Sequence, residues 1–231
     1  MPDLQQLYQA VIDGDADASK TVTEEALAEG IDALSLVTDY MVPAMDEVGR
    51  RFEEGEYFVP ELLIAARAMK ASMELIRPIL IETGVPPTGR VVIGTVKGDL
   101  HDIGKNLVAA MLEGGGFEVL DLGADVDPAK FVEAARERNA DIVAMSALLT
   151  TTMPSMKSTI DALIAAELRD KVKVMIGGAP VSAGFGEQIG ADSYAENASL
   201  AVAMAREFLK GEPVSESADA SPNFSASTSC G

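Results

Sequence analysis

The residues with the most chemical potential sit in Lys97-Gly98-Asp99-Leu100-His101-Asp102-Ile103-Gly104, an Asp-x-His-x-x-Gly pattern directly after a short β-branched run. An imidazole ligates a metal through one ring nitrogen. A carboxylate two residues away can accept a hydrogen bond from the other nitrogen, which fixes the tautomer and raises the basicity of the ligating atom. Asp102 adds a second carboxylate to the same loop. Gly98 and Gly104 let the chain turn and let a bulky ligand approach the backbone. Taken alone, the loop also reads as a solvated ion pair. His101 is the only histidine and Cys230 the only cysteine. A zinc or iron–sulfur cluster is therefore excluded, and no calcium-loop spacing is present.

Two further stretches belong with this loop. Ser146-Ala147-Leu148-Leu149-Thr150-Thr151-Thr152 follows a third apolar run, and Gly177-Gly178-Ala179-Pro180 follows a fourth. Hydroxyls at the first can bond a polar ligand tail. The missing side chains at Gly177 and Gly178 leave room for a deep slot. Separately, each has a plainer reading, as a cap for the next helix or as a turn.

The elements that must position these residues change rhythm along the chain. Over residues 1–82 the periodicity is helical. Leu4, Leu7, Tyr8, Val11 and Ile12 share one face, and helices are expected over Thr21–Glu29, Ile31–Phe52 and Glu61–Ile81, the last with Pro60 at its first turn. Four helices with short joints predict an antiparallel four-helix bundle. Thr83–Arg90, rich in Pro, Gly and Thr, reads as a linker. Beyond it, the runs Val91–Val96, Phe117–Leu122, Asp141–Ala147, Val172–Ile176 and Asp192–Tyr194 alternate with helical stretches. Alternation of this kind predicts a doubly wound α/β domain over 91–210, with a five-stranded parallel sheet in flavodoxin-like or Rossmann-like order. Its ligand site lies off the carboxyl ends of the strands. Residues 211–231 hold little that could bury and read as a disordered tail; Cys230 lies in it and is assigned no function.

Bulk properties narrow the classes. Net charge is −19, from 37 acidic and 18 basic residues, which disfavours nucleic acid and anionic membrane as partners. No apolar run is long enough to span a bilayer, no signal-peptide pattern opens the chain, and cysteine is nearly absent, so the cytoplasm is the expected compartment.

Taken jointly, Asp-x-His-x-x-Gly, Ser-x-Leu and Gly-Gly resemble the cobalamin-binding domain of methionine synthase and its relatives. The likeness extends to the helical half through Met41-Val42-Pro43-Ala44-Met45, Val48-Gly49 and Phe52-Glu53-Glu54-Gly55-Glu56-Tyr57-Phe58-Val59-Pro60-Glu61-Leu62. A chain of these two modules is similar to the small corrinoid proteins of anaerobic methyltransferase systems. Several roles are implied by that resemblance. His101 would be the lower axial ligand of cobalt in cobalamin or a related corrinoid, displacing the cofactor's own base. Asp99 would hold His101, and Thr152 would stand where methionine synthase has a serine completing the relay. Ser146, Leu148 and Thr150 would line the nucleotide-tail slot, with Gly177 and Gly178 opposite. Phe58 would cover the methyl face of the corrin, or else be bundle core. Met41, Met45, Met69 and Met73 read as core filler. The metal would cycle between methylcob(III) and cob(I) states. The implied partners are a substrate-specific methyltransferase (methanol, methylamine, betaine or aryl methyl ether as donor), a second methyltransferase acting on a thiol or tetrahydrofolate, and a reductive activase. The implied mechanism has the bundle swing away about the linker across a modest interface. Three other readings stay open: a cobalamin-dependent sensor, a subunit of an adenosylcobalamin isomerase, and a corrinoid-free flavodoxin-like protein.

Overall fold

Leu7, Val11 and Ile12 bury one face of helix α1 (Gln5–Asp13) in this computed structural model, which describes residues 3–210. Asp15 then caps α2 (Ala16–Ala28), accepting from the Ala18 N–H at 3.0 Å. This cap starts the helix ahead of Thr21, where composition alone would begin it, because a capping carboxylate satisfies an orphan donor that composition does not register. Next, α3 (Ala33–Leu36), a π-helical turn (Val37–Met41) and α4 (Val42–Glu53) follow one another without a break. The wide turn falls where Pro43, having no N–H, cannot donate to the carbonyl one turn back. Helix α5 (Val59–Glu82) carries Pro60 in its first turn, and its Glu61 carboxylate accepts from the Phe58 N–H at 2.9 Å. Buried hydroxyls tie α2 to α5: Ser19 and Ser72 lie 2.6 Å apart, and Thr23 donates to Ser72 at 2.9 Å. The four-helix bundle thus forms as expected.

The second half alternates strictly. The strands are β1 (Arg90–Thr95), β2 (Glu118–Asp121), β3 (Ile142–Ser146), β4 (Lys173–Gly177) and β5 (Ser193–Tyr194), and the helices are α6 (Ile103–Gly114), α7 (Pro128–Arg138), α8 (Pro154–Ala165), α9 (Ala183–Ile189) and α10 (Ala198–Lys210). All strand pairs are parallel, in the order β2-β1-β3-β4-β5. The chain therefore reverses direction across the sheet between β1 and β3, the switch point where a crevice opens off the strand ends. Register aligns Thr95, Ser146 and Gly177 in one row at that edge. Ser182 caps α9 by accepting from Phe185 N–H at 3.3 Å, and α8 stops before Glu167, which turns left-handed at φ 57°.

Two apolar cores flank the sheet. One packs Phe131, Met156 and Leu163 against Val92, Val143 and Val174. The other takes Ile93, Ala144 and Met175 beneath α6 and α10 and continues without a break into the bundle through Leu112, Phe117, Met45 and Met69. The modest contact expected between the halves is therefore not what forms. The joining stretch is also tacked down, with the Thr88 N–H donating to the Gly116 carbonyl at 3.2 Å. An aliphatic face on α6, α10 and α5 leaves no stable alternative to burying them together. The tail expected over 211–231, with Cys230, lies outside the described residues. Among the described residues no helix is long and apolar enough to cross a membrane.

Candidate functional site

His101 stands on the loop between β1 and α6, its side chain half exposed at 51%. Its Nδ1 lies 2.8 Å from Asp99 Oδ1 and donates to that carboxylate, which directs Nε2 away from Asp99. The loop is held from below. Thr95, fully buried, donates from Oγ1 to the His101 carbonyl at 3.0 Å, and Gly98, at φ 85°, donates its N–H to Asp125 Oδ1 at 2.8 Å.

Asp99 is completely buried. Oδ1 accepts from the His101 ring and from the His101 backbone N–H at 3.0 Å; Oδ2 accepts from Leu148 N–H at 2.7 Å, Leu149 N–H at 3.2 Å and Thr152 Oγ1 at 2.7 Å. Burial alone would push this carboxyl up. Donation from Thr152, from the His101 and Leu148 amides and from the His101 ring outweighs it and holds Asp99 well below the usual carboxylate range. Two chain segments about fifty residues apart thus converge on one carboxylate, the His101 loop and the Leu148–Thr152 stretch. Thr152 donates to Asp99 with its methyl against Gly98, where a Cβ would lie 3.6 Å away.

Beside His101 a cavity of about 780 Å³ runs between the sheet and the α6–α10 layer. Ile93, Ala144 and Met175 form its floor, and Ser146, Leu148, Gly177 and Gly178 its mouth. Gly178 is at φ 123°, and a Cβ there would lie 1.9 Å from the Ala147 carbonyl oxygen, so no larger residue fits. Asp102 and Gly104 also line the cavity; a Cβ at Gly104 would meet open space. Asp102 sits at the N-cap position of α6, its carbonyl accepting from Asn106 N–H at 2.8 Å.

Two expected residues fall elsewhere. Thr150 is exposed on the turn before α8 and does not line the cavity. Phe58 precedes α5, 65% exposed, which removes the bundle-core reading; it too lies outside the cavity lining. Phe52, at the end of α4, does line it. Lys105 was also not anticipated. Its side chain is buried, and Nζ pairs with Asp121 and bonds Asn106 Oδ1 at 2.6 Å. Asp121 Oδ1 accepts from Gly123 N–H at 2.8 Å, and the Gly123 carbonyl accepts from Thr95 N–H at 2.9 Å. The sequence signal for Lys105 is its helical spacing with Ala109 and Leu112, a cation on the buried face of α6.

A lone imidazole with Nδ1 engaged, an open approach at Gly104 and a deep apolar slot beside it suit a macrocycle that supplies its own equatorial ligands. Among the described residues no three His, Cys, Asp or Glu side chains gather to hold a bare ion. The site thus fits a corrinoid, and His101 is the residue that would reach its metal. The B12 binding domain family matches residues 89–203 and, in a second form, residues 3–77. The chain belongs to this family of B12-binding corrinoid proteins, and its cofactor is cobalamin or a related corrinoid. Over 207 residues it is 46% identical to dimethylamine corrinoid protein 1 of Methanosarcina acetivorans, covering 89% of this chain and 97% of that one. Trimethylamine corrinoid protein 1 of the same organism is 45% identical, with 87% and 94% covered. Among solved structures, the methanol:cobalamin methyltransferase complex MtaBC of Methanosarcina barkeri matches with a TM-score of 0.80 at 30% identity, covering 91% of this chain and 80% of that one. A cobalamin-binding protein of Desulfitobacterium hafniense matches at 0.74 and 37% identity, covering 90% and 99%.

Proposed function

We propose that this protein carries a methyl group on its corrinoid from a methylamine-specific methyltransferase to a second methyltransferase acting on a thiol or tetrahydrofolate. The observation that carries this reading is the Thr152–Asp99–His101 relay at the mouth of the slot, in a chain whose relatives are named for dimethylamine and trimethylamine. When bound, the corrinoid supplies the group-transfer chemistry, its cobalt accepting a methyl group and giving it up to the next acceptor.

The chain's own residues set the conditions. His101 would offer Nε2 to the metal, with Asp99 holding the ring in place through Nδ1. Leu100 and Ile103, 74% and 81% exposed, flank His101 as an apolar rim that the macrocycle would cover, keeping water from the face that His101 approaches. Ser146 and Leu148 at the slot mouth hold the nucleotide tail, and Gly177 and Gly178 leave it room. Phe58, exposed on the joint between α4 and α5, is the aromatic that covers the methyl face when the bundle closes. A reductive activase restores oxidised cofactor.

Reconstituted protein mixed with mono-, di- or trimethylamine and a methyltransferase specific for that amine should convert the reduced-cobalt absorption spectrum to that of the methylated form. A thiol acceptor with its own methyltransferase should then reverse the change. Failure of every methylamine, with methanol succeeding, would move the donor assignment to another class while leaving the carrier role intact. Failure of all donors would remove the carrier role.

A further inference from the structure

The bundle reaches the cofactor cavity through a residue that the relay and the rim leave unexplained. Among the described lining residues, Phe52 alone comes from the bundle. Helix α4, which carries it, packs across both α6 and α10, the two helices that roof the slot. That contact is fixed along successive turns. Asp46 pairs with Arg206 at 2.7 Å. At Gly49 the chain passes Ser199 so closely that a Cβ would lie 3.1 Å from its hydroxyl oxygen. Phe52 then lines the cavity together with Ala198 and Ala201 of α10.

We propose that α4 is a wall of the nucleotide-tail slot, with Phe52 closing the slot at its α10 end, so that gripping the tail and docking the bundle are a single coupled equilibrium. The inference rests on the reading that this cavity takes the corrinoid's tail. Coupling of this sort is reciprocal: whatever the docked bundle adds to tail binding, the bound tail adds to docking. A held tail then biases the bundle toward its docked position by the same factor by which docking tightens the grip on the tail.

Cobinamide, a corrinoid without the nucleotide tail, separates the parts of this argument. Wild-type apoprotein should bind cobalamin more tightly than cobinamide by equilibrium titration; equal affinities would overturn the tail-slot reading and the inference with it. Given that preference, Phe52→Ala should weaken cobalamin binding roughly tenfold and leave cobinamide unchanged, while Phe52→Leu, which keeps apolar volume, should fall between. Hydrogen exchange on the wild type needs no variant: cobalamin should slow exchange of the α4 amides, and cobinamide should not. A wild type that prefers cobalamin but shows equal α4 exchange with both corrinoids, or a Phe52→Ala protein with undiminished cobalamin affinity, would overturn the coupling and leave the slot reading standing.

Discussion

At His101 the position of one proton decides whether Nε2 can ligate. Asp99 settles it by placing a carboxylate oxygen 2.8 Å from Nδ1. In Asp99→Asn the amide oxygen satisfies only one side of a carboxylate that takes five donors, and the amide NH2 must face N–H or O–H groups on the other. If it faces His101, Nδ1 becomes the acceptor and the proton moves to Nε2. We expect a folded apoprotein about 1–3 kcal/mol less stable, with corrinoid affinity lowered roughly 10–100-fold. Histidine-nitrogen hyperfine coupling should be lost from the cob(II) electron paramagnetic resonance spectrum. Unchanged coupling would reduce Asp99 to a structural carboxylate. Thr152→Val should do less, because the Leu148 and Leu149 amides still hold Oδ2.

Two glycines shape the slot, one just past β4 and one in the first turn of α6, and their tolerance to substitution differs for steric reasons. At Gly178 the backbone is left-handed and a Cβ would collide with the Ala147 carbonyl at 1.9 Å, whereas at Gly104 it would enter open cavity space. Gly178→Ala must push the β3 and β4 loops apart, costing about 2 kcal/mol or more. Its apoprotein should melt about 4–8 °C lower, given the usual sensitivity at this chain length. Gly104→Ala should leave the melting temperature nearly unchanged yet weaken corrinoid binding, since its methyl occupies ligand space. Equal melting shifts in the two variants would contradict this division.

For the whole molecule the decisive feature is that one apolar core runs from the sheet through α6 and α10 into the bundle. Helices that share a core do not melt separately when neither face is stable in water. Apoprotein should therefore unfold in one calorimetric transition, with the calorimetric enthalpy equal to the van't Hoff enthalpy. Two resolved transitions would show that the bundle and the α/β domain are independent bodies, and the hinge-and-swing picture suggested by the Thr83–Arg90 stretch would regain its footing.

How much could be read beforehand follows from how local each signal is. Hydrophobic period, β-branched runs and capping residues act within a turn or a strand, so the bundle, the five strands and the alternating helices were legible from residue order. The Asp-x-His-x-x-Gly loop was legible too, because Asp99 and His101 are two residues apart and meet within a single turn. Thr152 was placed through a motif, since no local rule links it to Asp99 across more than fifty positions (53 apart in the chain). Phe52 and Lys105 escaped notice because a partly buried aromatic and a helical lysine look ordinary until neighbours are known. Lys105 becomes a buried cation only when β2 brings Asp121 alongside, and Phe52 becomes a cavity wall only when α4 lies across α6 and α10. The continuity of the core was likewise invisible, for Pro and Gly between two halves mark a turn and carry no information on how much apolar surface the halves share. Residue order determined the elements and the ligand loop. Packing between segments remote in sequence, which depends on complementary shape and on burial that no single segment encodes, decided which side chains face the slot and how the bundle is held to it.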